Sequence, residues 1–169
     1  MCKTAFLEIL HISTIGHYLT DDATQTLVVS RILSHIDYCN SLLAGLPQSL
    51  VGKLQRVQNS AAHLVARAPP HVHITTLLRH LHWLPVRARI SCKTACHCFN
   101  AITSSTPSYL SGLPHLYSPS RSLRSSAENR LLKVPLYKCK TKGDRAFSYF
   151  GPSVWNSPPL QLSTPSILL

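Results

Sequence analysis

Between Ser49 and Arg67, apolar residues return every three or four positions: Leu50, Leu54, Val57, Ala61 and Leu64. That spacing fits an α-helix with one buried stripe and does not fit a strand, whose faces alternate every second residue. Lys53, Arg56, Ser60, His63 and Arg67 recur at the same interval on another face. One side can therefore pack while the other turns a basic surface to water. Pro69-Pro70 stops the helix.

The same logic extends through the first hundred residues. A first helix is expected over about 4–18, with Phe6, Ile9 and Leu10 apolar. Thr20, followed by Asp21 and Asp22, is a helix start: a capping hydroxyl, then acids in the first turn. The helix it opens carries Leu27, Val28, Ile32, Ile36, Cys39 and Leu43, until Gly45 and Pro47 end it. Thr75 is expected to cap a short helix running through Leu77, Leu78 and Leu81 to Trp83. Pro85 suits the first position of another, reaching about Ile102.

Composition changes at Thr103. Residues 103–126 hold nine Ser, three Pro and Gly112, the signature of a linker. Beyond it, Lys138, Lys140 and Lys142 alternate, and Phe147, Tyr149, Phe150 and Trp155 cluster beside the basic run. The expected architecture is mainly α. A helical bundle (1–102) is followed by a Ser/Pro-rich linker (103–126) and a basic, irregular, aromatic C-terminal segment (127–169).

Charge narrows the function. Lys and Arg number 17 against 6 Asp and Glu, a net charge of +11, and no acid lies between Asp37 and Glu128. Such a chain seeks polyanions. Lys53, Arg56 and Arg67, then Arg121, Arg124, Lys138, Lys140, Lys142 and Arg145, are the candidate phosphate contacts. Phe147 and Trp155 are candidates either for stacking on bases or for the core, with the core preferred. Two-metal polymerase chemistry needs clustered acids, and six scattered ones do not supply it. Tyr18-Leu19-Thr20-Asp21-Asp22 reads as a helix cap, not a catalytic pair. No phosphate-cradling glycine loop or metalloprotease motif occurs.

Cys92, Cys96, His97 and Cys98 raise the question of zinc, with His71, His73, His80, His82 and Cys139 as further donors. Their spacing departs from the Cys-x-x-Cys knuckle and lacks a matching second half. Cysteines filling an apolar helix face is the preferred reading, so no metal or cofactor is expected. No signal peptide or membrane span is recognisable, and the six cysteines read as reduced intracellular thiols, in nucleus or cytoplasm.

Six phrases carry a resemblance. They are Ile36-Asp37-Tyr38-Cys39-Asn40-Ser41-Leu42-Leu43; Leu54-Gln55-Arg56-Val57-Gln58-Asn59-Ser60-Ala61-Ala62; Leu81-His82-Trp83-Leu84-Pro85-Val86-Arg87; Ser120-Arg121-Ser122-Leu123-Arg124-Ser125-Ser126; Lys140-Thr141-Lys142-Gly143-Asp144-Arg145-Ala146-Phe147; and Val154-Trp155-Asn156. In this order, from about Cys2 to Leu162, they resemble the C-terminal region of the second open reading frame of vertebrate LINE elements, the jockey-like and chicken-repeat group of non-LTR retrotransposons. The resemblance implies a region beyond the polymerase palm whose thumb-like helices and basic tail hold template RNA and primer DNA. The catalytic Tyr-x-Asp-Asp phrase and the endonuclease of that polyprotein have no counterpart here. Two departures stand out: Cys92, Cys96, His97 and Cys98 replace an aliphatic helix face, and the chain stops soon after Trp155-Asn156.

The expected function is a non-catalytic, RNA- or DNA-binding fragment of a reverse transcriptase, with no small-molecule substrate and no membrane. The alternatives are a relic without selected function, or a helical module that docks a partner helix on Leu50, Leu54, Val57 and Ala61.

Overall fold

The computed structural model describes residues 2–38, 40–69, 71–104, 107–118, 131–136, 143 and 145–157. The chain divides into two compact units, Met1–Ile90 and Ser91–Leu169. Both are mainly helical. Their boundary falls inside one helix, not at the Ser/Pro-rich stretch near residue 103 where composition changes.

In the first unit, α1 (Cys2–Ile15) runs into a 3₁₀ turn at Gly16–Tyr18. α2 (Asp21–Val28) starts where expected, with the Thr20 hydroxyl accepting from the Ala23 N–H at 3.2 Å. A π-helical turn, Val29–Leu33, continues it into α3 (Ser34–Asp37). Within this turn both Ile32 and Leu33 are buried. The helix does not reach Leu43. Tyr38 turns extended (ψ 119°), and Asn40–Leu43 forms a separate 3₁₀ turn.

α4 (Gln48–Val65) is the central helix, with α1, α2 and α5 (Ile74–His80) packed on it. Its buried face is Val51, Leu54, Val57, Gln58, Ala61, Ala62 and Val65. Three residues of the expected stripe lie there, but the face is broader and rotated toward Gln58 and Ala62. Leu50 stays 43% exposed. With Leu54, Val57 and Ala61 in the unit's own core, that stripe is not available to a partner helix.

The polar residue at the centre of this face explains the rotation. Gln58 has no exposed surface, and its Nε2 donates to the Leu84 carbonyl at 2.8 Å. One turn earlier, Gln55 Oε1 accepts from the Val86 N–H at 2.9 Å, while its Nε2 bonds Gln58 Oε1 and Asn59 Oδ1. So Gln55 supplies, from another element, the cap that the first turn of α6 (Val86–Thr103) needs. Arg89, one turn into α6, forms an ion pair with Asp37, which also receives a bond from Asn40. Two of the phrases quoted above, 54–62 and 81–87, therefore meet through these amide bonds.

α4 and α5 both end in Schellman turns built without glycine. Arg67 (φ 45°) and His82 (φ 55°) take the left-handed position. The following N–H groups reach back five residues, Ala68 to the His63 carbonyl and Trp83 to the Leu78 carbonyl. The cap of α5 is His73, not Thr75: its Nδ1 accepts from the Thr75 N–H at 3.3 Å.

The second unit holds the C-terminal part of α6, α7 (Ser108–Ser111), and α8 (Phe147–Trp155). The described part of the Ser/Pro stretch is not plain linker. After α7, Leu116 makes an isolated antiparallel bridge with Leu132. Among the described residues of the tail, Phe147–Trp155 is helical. Cys98, Leu132 and Trp155 form a buried cluster with Phe99, Ile102 and Phe147 around it. Asn156 mimics a neighbouring strand: its Nδ2 donates to the Leu132 carbonyl and its Oδ1 accepts from the Leu132 N–H, at 2.8 and 3.0 Å. Gly151 is required here, because a Cβ would stand 2.8 Å from Cys98 Sγ.

Removing the Gln58 amide leaves the Leu84 carbonyl without its donor. Gln58→Ala and Gln58→Leu should each destabilise the first unit by about 1–3 kcal/mol. The leucine restores volume but not the bond, so equal losses in chemical denaturation identify the hydrogen bond as the cause. Full recovery by leucine would identify packing instead.

Candidate nucleic-acid interface

The basic face of α4 divides into two halves. Lys53 and Arg56 are exposed, roughly opposite the buried face, and have no acidic partner among the described residues. Nothing holds these side chains in place, and their charge is open to an anion.

The other half is engaged in the fold. Arg67 donates to the Leu19 carbonyl at 2.7 Å and to the Gly16 carbonyl at 3.4 Å, and pairs with Asp21 at 3.0 Å. It ties the turn between α1 and α2 to the end of α4. Both partners in the ion pair are largely exposed, so the pair itself contributes little stability. The carbonyl bonds fix the guanidinium more firmly. Beside it opens a cleft of about 210 Å³, lined in part by His17, Thr24, His63 and Arg67. His63 Nδ1 is buried there with no hydrogen-bond partner. Arg67 is thus a charge at the margin of the basic face, already shared with Asp21.

Other cations of this unit were not singled out from the sequence. Arg79 is exposed on α5 with no acidic partner among the described residues. Arg87 is exposed and reaches Gln48 Oε1 at 3.3 Å. Arg31 pairs with Glu8 at 3.4 Å, and Arg89 is partly buried against Asp37. The long acid-free run was the available signal for Arg79 and Arg87. It could not separate them from Arg89, whose partner lies far away in sequence.

In the second unit Arg145 is exposed, next to the start of α8. Arg121, Arg124, Lys138, Lys140 and Lys142 lie outside the described residues. Trp155 is buried in the core cluster, and Phe147 packs against it partly buried.

Cys92, Cys96, His97 and Cys98 do not converge. Residues two apart on a helix are separated by about 200°. Cys92 and Cys96 are accordingly exposed, while Cys98 is buried against Gly151. Among the described residues no three His, Cys, Asp or Glu side chains gather as metal ligands. Burial pushes the Cys98 thiol up to about 12. No helix among the described residues is long and apolar enough to cross a membrane.

Comparison with protein-family models, with curated proteins and with solved structures found no match to this chain.

The contrast between the cysteines is directly measurable. A buried thiol with its pKa raised that far is protonated and inert at pH 8. Iodoacetamide should label Cys92 and Cys96 in the folded chain and reach Cys98 only after denaturation. The sign of the linkage is fixed: the folded state holds the Cys98 proton more tightly than the unfolded state. Its contribution is therefore intact below about pH 9 and is lost as pH rises toward 12. Labelling of Cys98 at the same rate as Cys92 would contradict the burial.

Proposed function

We propose that this chain is a non-catalytic, nucleic-acid-binding segment from the C-terminal region of a LINE-type reverse-transcriptase polyprotein. It acts through phosphate contacts and does no bond chemistry of its own. The observation that carries the reading is the unneutralised basic surface: Lys53 and Arg56 stand exposed on the central helix of a chain with net charge +11. Cations without internal partners release counterions from a polyanion at little cost to the fold.

Several residues of the phrases that carry the resemblance also hold the fold. Asp37, Asn40, Gln55, Gln58, Leu84, Val86 and Asn156 supply the polar links that close the two units. The expected partner is single-stranded RNA or DNA, bound without sequence preference. The charges are mobile lysine and arginine heads, which contact phosphates without reading bases.

A second reading has one observation in its favour. Phe6, Leu7 and Leu10 lie exposed on α1, which suits a surface covered by another protein. That surface differs from the α4 stripe, which is buried.

The test is the salt dependence of binding to a fluorescent single-stranded oligonucleotide. With about five phosphates contacted, log affinity should fall against log salt with a slope of about −3.5. Lys53→Ala combined with Arg56→Ala should flatten the slope by about 1.4, two contacts' worth, and leave the thermal midpoint nearly unchanged. A slope near zero, or one that ignores the double substitution, would sink the phosphate-contact reading.

A further inference from the structure

α6 presents two thiols on one solvent-facing strip. Cys92 and Cys96 are four residues apart, hence one turn apart and side by side, and both are exposed. Their side chains interact. The Cys96 thiol is raised above its ordinary range by partial burial and then by the adjacent Cys92. Cys98 faces the opposite way, into the core.

This geometry selects among the chemistries open to a thiol pair. Cβ atoms at this helical spacing lie about 5–6 Å apart. A disulfide needs about 3.5–4.5 Å, so direct oxidation requires the helix to distort. One atom inserted between the sulfurs removes that conflict. Tetrahedral zinc calls for four protein or water donors, and the described residues gather no third ligand here. The site therefore suits a soft centre that is content with two thiolates and brings its own third substituent.

We propose that Cys92 and Cys96 form a dithiol site for thiol-seeking trivalent centres, of which an organic trivalent arsenical is the type ligand. With phenylarsine oxide, two S–H bonds and the As–O bond break and two As–S bonds form. The oxide oxygen leaves with both thiol protons as water, arsenic stays trivalent, and no oxidant is consumed. Holding the second thiol beside the first raises its effective concentration, so the chelate resists monothiols.

The test adds phenylarsine oxide to the full chain in excess glutathione and reads intact mass. The expected result is one adduct per chain that survives glutathione and is stripped by dithiothreitol. Cys92→Ser and Cys96→Ser should each abolish it; Cys98→Ser should not. Lys93 lies between the two cysteines, so trypsin leaves them on separate peptides joined only through arsenic. The joined pair should appear in the digest whether or not the serine variants fold well. The adduct should also raise the thermal midpoint, because a ligand that favours the native helix stabilises it. An adduct bridging any other cysteine pair, one lost to glutathione, or one that lowers the midpoint would overturn the proposal.

Discussion

The first unit depends on two glutamines reaching sideways from the middle of α4. Gln58 holds the Leu84 carbonyl and Gln55 holds the Val86 N–H, so the turn before α6 is fastened on both sides of Pro85. Those backbone groups have no partner within α6 itself. Burying them against an apolar helix would leave a donor and an acceptor unmet. With the amides in place, the central face of α4 can carry a polar residue and still be fully buried. The rotation of its buried face, the start of α6, and the approach of Arg89 to Asp37 all follow from this fastening.

Amides do this work in a chain with few acids. Three of its carboxylates, Glu8, Asp21 and Asp37, are matched to Arg31, Arg67 and Arg89. The second unit follows the same rule, where the Asn156 amide closes the Leu132 backbone. Among the described residues, interior polarity is settled mostly by neutral hydrogen bonds, and most of the basic side chains are exposed. A fold of this kind keeps a cationic exterior without forcing its own core to bear the repulsion.

What could be read from the sequence was whatever depends on neighbours along the chain. The Ser49–Arg67 periodicity gave a real helix, and Thr20 with two acids behind it gave a real cap. The cysteines were expected to fill an apolar helix face; Cys98 does, but Cys92 and Cys96 are exposed. Distant partners decided the rest. The helix after Thr20 was expected to reach Leu43, but it ends at Asp37, whose carboxylate is held by Arg89, 52 residues away. No glycine marks the left-handed turns at Arg67 and His82; at Arg67 the side chain's bonds to Gly16 and Leu19 hold a conformation its backbone disfavours. Among the candidate cations, sequence could name Lys53, Arg56 and Arg67 as one face. It could not see that Arg67 was already engaged.

On the proposed function, nucleic acid sits on the open half of the α4 face. The most direct measurement is lysine acylation of the chain, with and without single-stranded RNA at low salt, read by mass spectrometry. Lys53 should be protected by bound RNA, and the exposed Lys3 on α1 should remain as reactive as in the free chain. Equal acylation of Lys53 in both samples, under conditions where the RNA is bound, would contradict the claim and place the interface elsewhere.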